Sequence, residues 1–128
     1  MKIVTREKTM RVLCPHGSFA SERYLLEQDS MGYTVTKTTI KQGGPYYWHY
    51  KHHLESCLCV SGHATVQDCA SGTKHDLGPG DLYALDKNDA HTFTAHDEVV
   101  LVCVFSPALT GSEVHQKDGS YKAGGNKK

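Results

Sequence analysis

The sequence has 128 residues, enough for one hydrophobic core and too short for two. Its 14 Lys+Arg residues balance 14 Asp+Glu, so the net charge is zero and the basic face of a nucleic-acid binder is missing. Five cysteines, an odd number without a C-x-x-C pair, fit neither a disulfide framework nor a zinc ribbon and read as small buried hydrophobes in a reducing cytosol.

In chain order, MKIVTREKTMRVL carries charges throughout and lacks the apolar core of a signal peptide. No later run approaches the roughly 18 apolar residues that span a bilayer, so the expectation is a cytoplasmic protein without a membrane partner. MGYTVTKTTI (31–40) is rich in β-branched and aromatic residues and predicts a strand after the turn-like QDSMG. In LESCLCVSG (54–62), Leu54, Ser56, Leu58 and Val60 alternate with Glu55, Cys57 and Cys59. With the tight Ser61-Gly62 turn, this segment and ATVQDCA (64–70) are expected to pair as a hairpin. ASGTKHDLGPGD (70–81) reads as turns around a short strand. DLYALD (81–86) and AHTFTA (90–95) read as two arms of a second hairpin around KND, and EVVLVCVF (98–105) as a strand buried on both faces. Many short strands with glycine-rich turns predict an all-β sandwich or barrel in a single domain, 1–128, with residues 122–128 a flexible tail.

Histidine is the unusual residue, with nine copies, three of them beside a glutamate in HYKHHLE. Gly43, five residues, His49, one residue, Lys51, three residues, Glu55, six residues and Gly62 resemble the first motif of the cupin barrels, a double-stranded β-helix or jelly roll. After seventeen intervening residues, Gly80, five residues, Asp86, Lys87, Asn88, two residues and His91 follow the register of the second motif. Lys51 stands where that pattern has its second histidine, and Asp86 and Asn88 stand at its proline and glycine positions. In such barrels the motif residues converge on the axis. The motifs alone give His49, Glu55 and His91, two imidazoles and a carboxylate suited to iron(II). Lys51 cannot ligate as an ammonium, and Tyr83, eight residues before His91, is a second candidate. If the intervening loop is odd-numbered, the two side chains stand opposite each other across the hairpin. His16, His52, His63, His75 and His96 have no supporting pattern.

HYKHHLES, LYALDKNDAH, CVFSPALTGSEVH and DGSYK resemble the signatures of the L-ectoine synthase family, over residues 19–121 or so. The resemblance implies an iron-dependent cupin that closes N-γ-acetyl-L-2,4-diaminobutyrate into the cyclic solute ectoine with loss of water, acting as a homodimer. It places the Fe(II) ligands on Glu55, Tyr83 and His91, promoting Tyr83 over His49. It places substrate contacts on Arg23, Thr38, Tyr50, Phe105, Glu113 and His115, and on Phe19, where the family usually has tryptophan. Thr36 replaces a different polar side chain, and GGPYYWHY is less polar than the family's approach to Tyr50.

These residue types suit the reaction. An amide carbon is a poor electrophile, which a Lewis acid could activate. The attacking amine must be neutral, which needs a nearby base. Ring closure is an entropic task met by holding both substrate ends, and Arg23 could clasp the carboxylate with paired hydrogen bonds. Phe19 and Phe105 could form a dry wall, while Trp48 reads as core. Tyr50, Glu113 and His115 are the catalytic candidates. Glu113 and His115 project to one side of an extended segment between Thr110-Gly111 and Asp118-Gly119, as on a hinged flap. An iron dioxygenase would also use a facial cupin site, and a non-catalytic cupin could bind a small solute there.

Overall fold

The computed structural model describes residues 1–14 and 17–111. The strands are β1 (Met10–Leu13), β2 (Phe19–Leu25), β3 (Thr34–Ile40), β4 (Gly43–Trp48), β5 (Leu54–Ser61), β6 (Ala64–Asp68), β7 (Lys74–Leu77), β8 (Leu82–Leu85), β9 (His91–Ala95) and β10 (Val99–Ser106). Six form one sheet in the order β1-β2-β3-β10-β5-β8, and four form a second in the order β4-β9-β6-β7. Every pairing is antiparallel. The only helical segments among the described residues are two short 3-10 turns, and none of their helices is long and apolar enough to cross a membrane. Between the sheets lies one core, with Ile40, Cys59, Phe93, Val99 and Leu109 fully inaccessible. This is the two-layer β architecture that the turn-rich sequence predicts.

The local pattern explains most strands. In β3, TVTKTTI puts β-branched side chains on both faces of a pleat, and Thr34, Thr36 and Ile40 turn inward. In β5 the inward set is Glu55, Cys57 and Cys59, while Leu54, Leu58 and Val60 point outward and stay exposed. In β10, Val99, Leu101, Cys103 and Phe105 face the core and Val104 is exposed, so this strand is central but buried on one face only. The apolar run arises because its outer face also carries valines, which the described residues leave partly or wholly exposed.

Neither expected hairpin forms. The chain leaves β5 in the larger sheet and enters β6 in the smaller one, whereas β6 pairs with β7 and β9. Likewise β8 pairs with β5, and β9 with β4 and β6. Short turns read from sequence do not distinguish a return along one sheet from a crossing to the other. At the first crossing, Gly62 sits at a φ of 85°, and a Cβ there would run into the backbone of Glu98 and Val99. Strands β1, β2 and β4 were not anticipated: β2 mixes charges into FASERYL, and β4 opens with Gly-Gly-Pro.

Because Gly62 combines left-handed backbone with close approach, Gly62→Ala should lower folding stability by about 2 kcal/mol or more. Urea denaturation checks this. A wild-type midpoint would show that the crossing tolerates a side chain.

Candidate active site

The inner face of the larger sheet carries polar residues in cross-strand rows. Arg23 pairs with Thr36, Thr36 with Cys103, Cys103 with Cys57, and Cys57 with Tyr83, so one row crosses β2, β3, β10, β5 and β8. The row on one side holds Thr34, Phe105, Glu55 and Leu85, and the row on the other holds Ser21, Thr38, Leu101 and Cys59. Sheet hydrogen bonding thus fixes the relative positions of most candidates.

A narrow, partly open cavity with an enclosed volume of about 20 Å³ lies against these rows. Glu55, Tyr83, Thr38, Tyr50, Phe19 and Phe105 line it, with Ser21, Trp48 and Cys103 among their neighbours. Glu55 is only 6% exposed. Burial raises its carboxyl from the usual 4.5 to about 7, against the lowering effect of hydrogen bonds with the Cys57 and Cys103 thiols. Burial also holds the Tyr83 phenol well above its usual range, with Cys57 and Glu55 adding to the rise.

His91 approaches the Tyr83 side of this cavity from the opposite sheet, without forming part of its wall. Its ring centroid lies 5.8 Å from that of Tyr83, 6.3 Å from Tyr50 and 6.0 Å from Trp48. Tyr83 and His91 therefore meet across the barrel, not across a hairpin. His91 Nδ1 donates to the Asp89 carbonyl at 3.0 Å, which leaves Nε2 as a lone-pair acceptor. That nitrogen is buried and has no hydrogen-bond partner among the described residues. Burial lowers the imidazole's pKa, opposed by the Asp89 carbonyl, so the ring favours its neutral form. A buried carboxyl, a phenol and an oriented imidazole with an unused lone pair form a donor set suited to a divalent cation.

The remaining candidates divide. His49 is half-buried and absent from the cavity wall, with Nδ1 3.5 Å from the Tyr47 hydroxyl. Arg23 is buried but does not line the cavity; its guanidinium donates to the Gly111 carbonyl at 2.7 Å. Trp48 is core and wall together, packed on Phe19, Phe93 and His91. Glu113, His115 and the tail 122–128 lie outside the described residues.

Some neighbours were missed from sequence. Cys57 and Cys103 surround Glu55, a placement implied by the i, i+2 spacing of Glu55 and Cys57 but dependent on register for Cys103. Asn88, in left-handed backbone with a φ of 54°, donates through its amide to the carbonyls of Tyr50 and His53, each at 3.0 Å. It ties the Tyr50 loop to the turn that delivers His91.

Two antiparallel sheets enclosing an inward-facing site define a cupin. A solved RmlC-like cupin from Shewanella frigidimarina superposes with a TM-score of 0.68, at 18% identity over 84% of this chain and 92% of its own. The sequence matches the ectoine synthase family over residues 2–124, and the chain belongs to that family, whose members are hydro-lyases. It is 47% identical to the L-ectoine synthase of Marinomonas sp. (strain MWYL1) over 117 residues, covering 91% of each chain. It also resembles the ectoine synthase structure from P. lautus, with a TM-score of 0.84 and 29% identity over 100% of this chain and 96% of that one.

The raised Glu55 pKa gives the metal-free protein a pH signature. Below 4.5 the carboxyl is neutral in folded and unfolded chains alike. Between 4.5 and about 7 the unfolded chain releases a proton that the folded chain keeps, so stability falls as pH rises. The loss is on the order of 3 kcal/mol. Burial of the His91 imidazole has the opposite sign, so the test is a difference: across that window urea midpoints of wild type should fall relative to those of Glu55→Gln. Parallel profiles would count against a buried titrating carboxyl.

Proposed function

We propose that this chain closes N-γ-acetyl-L-2,4-diaminobutyrate into L-ectoine with loss of water, using iron(II) held by Glu55, Tyr83 and His91. Supporting this reading are a buried carboxyl and a phenol on one cavity wall, with an imidazole whose Nε2 lone pair is unused 5.8 Å from the phenol between ring centroids, in a member of the ectoine synthase family. Iron(II) bound there would supply a Lewis acid for the amide carbonyl.

The chain's own residues perform the other tasks. The substrate's free amine attacks its amide carbon, forming a C–N bond, and the former carbonyl oxygen departs as water to leave C=N. Phe19, Trp48, Tyr50 and Phe105 give the cavity an aromatic wall that keeps bulk water from the ring being closed. Thr38 on that wall orients the polar end of the substrate, and Arg23 in the adjoining row joins it by exchanging its Gly111 carbonyl partner for the substrate carboxylate. Tyr50, on the wall with its ring against Phe105 at 5.5 Å between centroids, would offer its hydroxyl to the reacting atoms. Glu113 and His115 complete the acid-base work, one accepting the amine proton and the other protonating the departing oxygen.

The outer face of the larger sheet exposes Leu54, Leu58, Val60, Leu82 and Val104, which supports assembly as a homodimer. Free cysteines at all five positions suit a cytoplasmic setting.

Iron-loaded protein incubated without oxygen should convert the acetylated diamine to a product lighter by one water, and unchanged substrate would reject the activity. Turnover that required oxygen would point instead to a dioxygenase. Tyr83→Phe should lose iron and activity together; retention there, with loss in His49→Ala, would favour the motif-only ligand set. Glu113→Ala and His115→Ala should each keep iron and lower turnover at least ~100-fold. Light scattering at micromolar concentration should give twice the chain mass.

A further inference from the structure

The function above leaves four buried cysteines without a role, and two of them stand beside Glu55. Cys57 and Cys103 face each other in direct cross-strand register on β5 and β10, 1% and 2% exposed. Their Sγ atoms and a Glu55 carboxylate oxygen all lie within 4.8 Å of one another. Tyr83, paired with Cys57 across β5 and β8, hydrogen-bonds that thiol. Zinc holds sulfur at about 2.3 Å and carboxylate oxygen at about 2.0–2.2 Å, so its tetrahedral ligands sit roughly 3.5–3.8 Å apart. A modest inward rotation of the three side chains closes the set around one ion. Cys103 lines the open cavity, which gives the ion a route in.

We propose that Glu55, Cys57 and Cys103 form a thiol-based cation site that takes a thiophilic divalent ion of the zinc class, with the Tyr83 hydroxyl beside the fourth position. Sulfur donors favour zinc and cadmium over hard ions such as magnesium. Each coordinated thiol exchanges its proton for the ion, and the protons leave through the cavity mouth. Because Glu55 belongs to both sets, a zinc-class ion here and iron(II) exclude each other. That exclusion, and not the thiol site itself, rests on the proposed reading of Glu55 as an iron ligand.

Cadmium titration of the metal-free full chain tests this, in a Cys69→Ser background that removes the exposed thiol. The sulfur-to-cadmium charge-transfer absorption should rise and saturate at one equivalent. It should vanish in Cys57→Val/Cys103→Ala, whose circular dichroism should match the parent. If that variant does not fold, Cys57→Ser and Cys103→Ser decide, each losing about half the absorbance per bound ion. Glu55→Gln should keep the band but need more cadmium to reach it. No band in the parent, or an undiminished band in the cysteine variants, overturns the site. His91→Ala should lose iron(II) uptake and keep the cadmium band. Loss of the band there also overturns the site, whereas retained iron would count only against the iron ligand set.

Discussion

A carboxyl buried inside a β-barrel is the constraint around which the remaining structure is organised. Glu55 is held inward by the pleat of β5, with strands on both sides of it, and its ionised form lacks the water that would solvate it. It must keep its proton or acquire a cation. The surroundings leave both options open. Thiols supply only weak hydrogen bonds, the phenol of Tyr83 stays protonated, and the imidazole of His91 stays neutral with one lone pair unused. Among the described residues, no arginine or lysine lines the cavity wall to neutralise the charge permanently. A site that required only stability would have an apolar residue at this position.

Part of this was legible in the sequence because spacing encodes it. The intervals from Gly43 to Gly62 and from Gly80 to His91 place Glu55 and His91 on inward positions of a closed two-sheet fold, and both do face inward. Sheet membership was less accessible. Ser61-Gly62 suits a hairpin as well as a crossing, and only the steric demand of Glu98 and Val99 against Gly62 reveals the latter. Facing was also ambiguous in β5, because Leu54, Leu58 and Val60 are more hydrophobic than the Glu55, Cys57 and Cys59 that are buried instead. Reading burial from hydrophobicity alone would have turned the strand inside out. The glutamate in the motif carries the correct facing, since the site and not the core decides it.

Strand β2 shows the same inversion. FASERYL carries two charges and presents no apolar periodicity, yet Ser21 and Arg23 are its buried residues, facing Thr38 and Thr36. Polar side chains tolerate that burial because they find polar partners: Arg23 donates to the Gly111 carbonyl, and Thr36 and Thr38, in adjacent rows, approach through their hydroxyls at 3.4 Å. Where a barrel interior is a binding site, the usual burial signal weakens at the residues that matter most.

The two sheets contribute in different ways. Within the larger sheet, Glu55, Tyr83, Thr38 and Phe105 are locked to one another by backbone ladders, so their spacing cannot change without breaking strand pairing. His91 belongs to the other sheet, and Tyr50 to the loop between β4 and β5, so their distance from Glu55 depends on packing between layers. The contacts that cross between the layers are aromatic: Trp48 meets Phe19, and His91 and Phe93 each meet Tyr83. Asn88 adds a directional link by holding the Tyr50 and His53 carbonyls, one residue before Asp89 and three before His91. Tyr50 and His91 are therefore tied to each other through Asn88, while no backbone ladder ties either of them to Glu55. The geometry of the donor set is thus controlled by the aromatic contacts and the Asn88 bridge, residues that need not touch a metal ion to determine how well it fits.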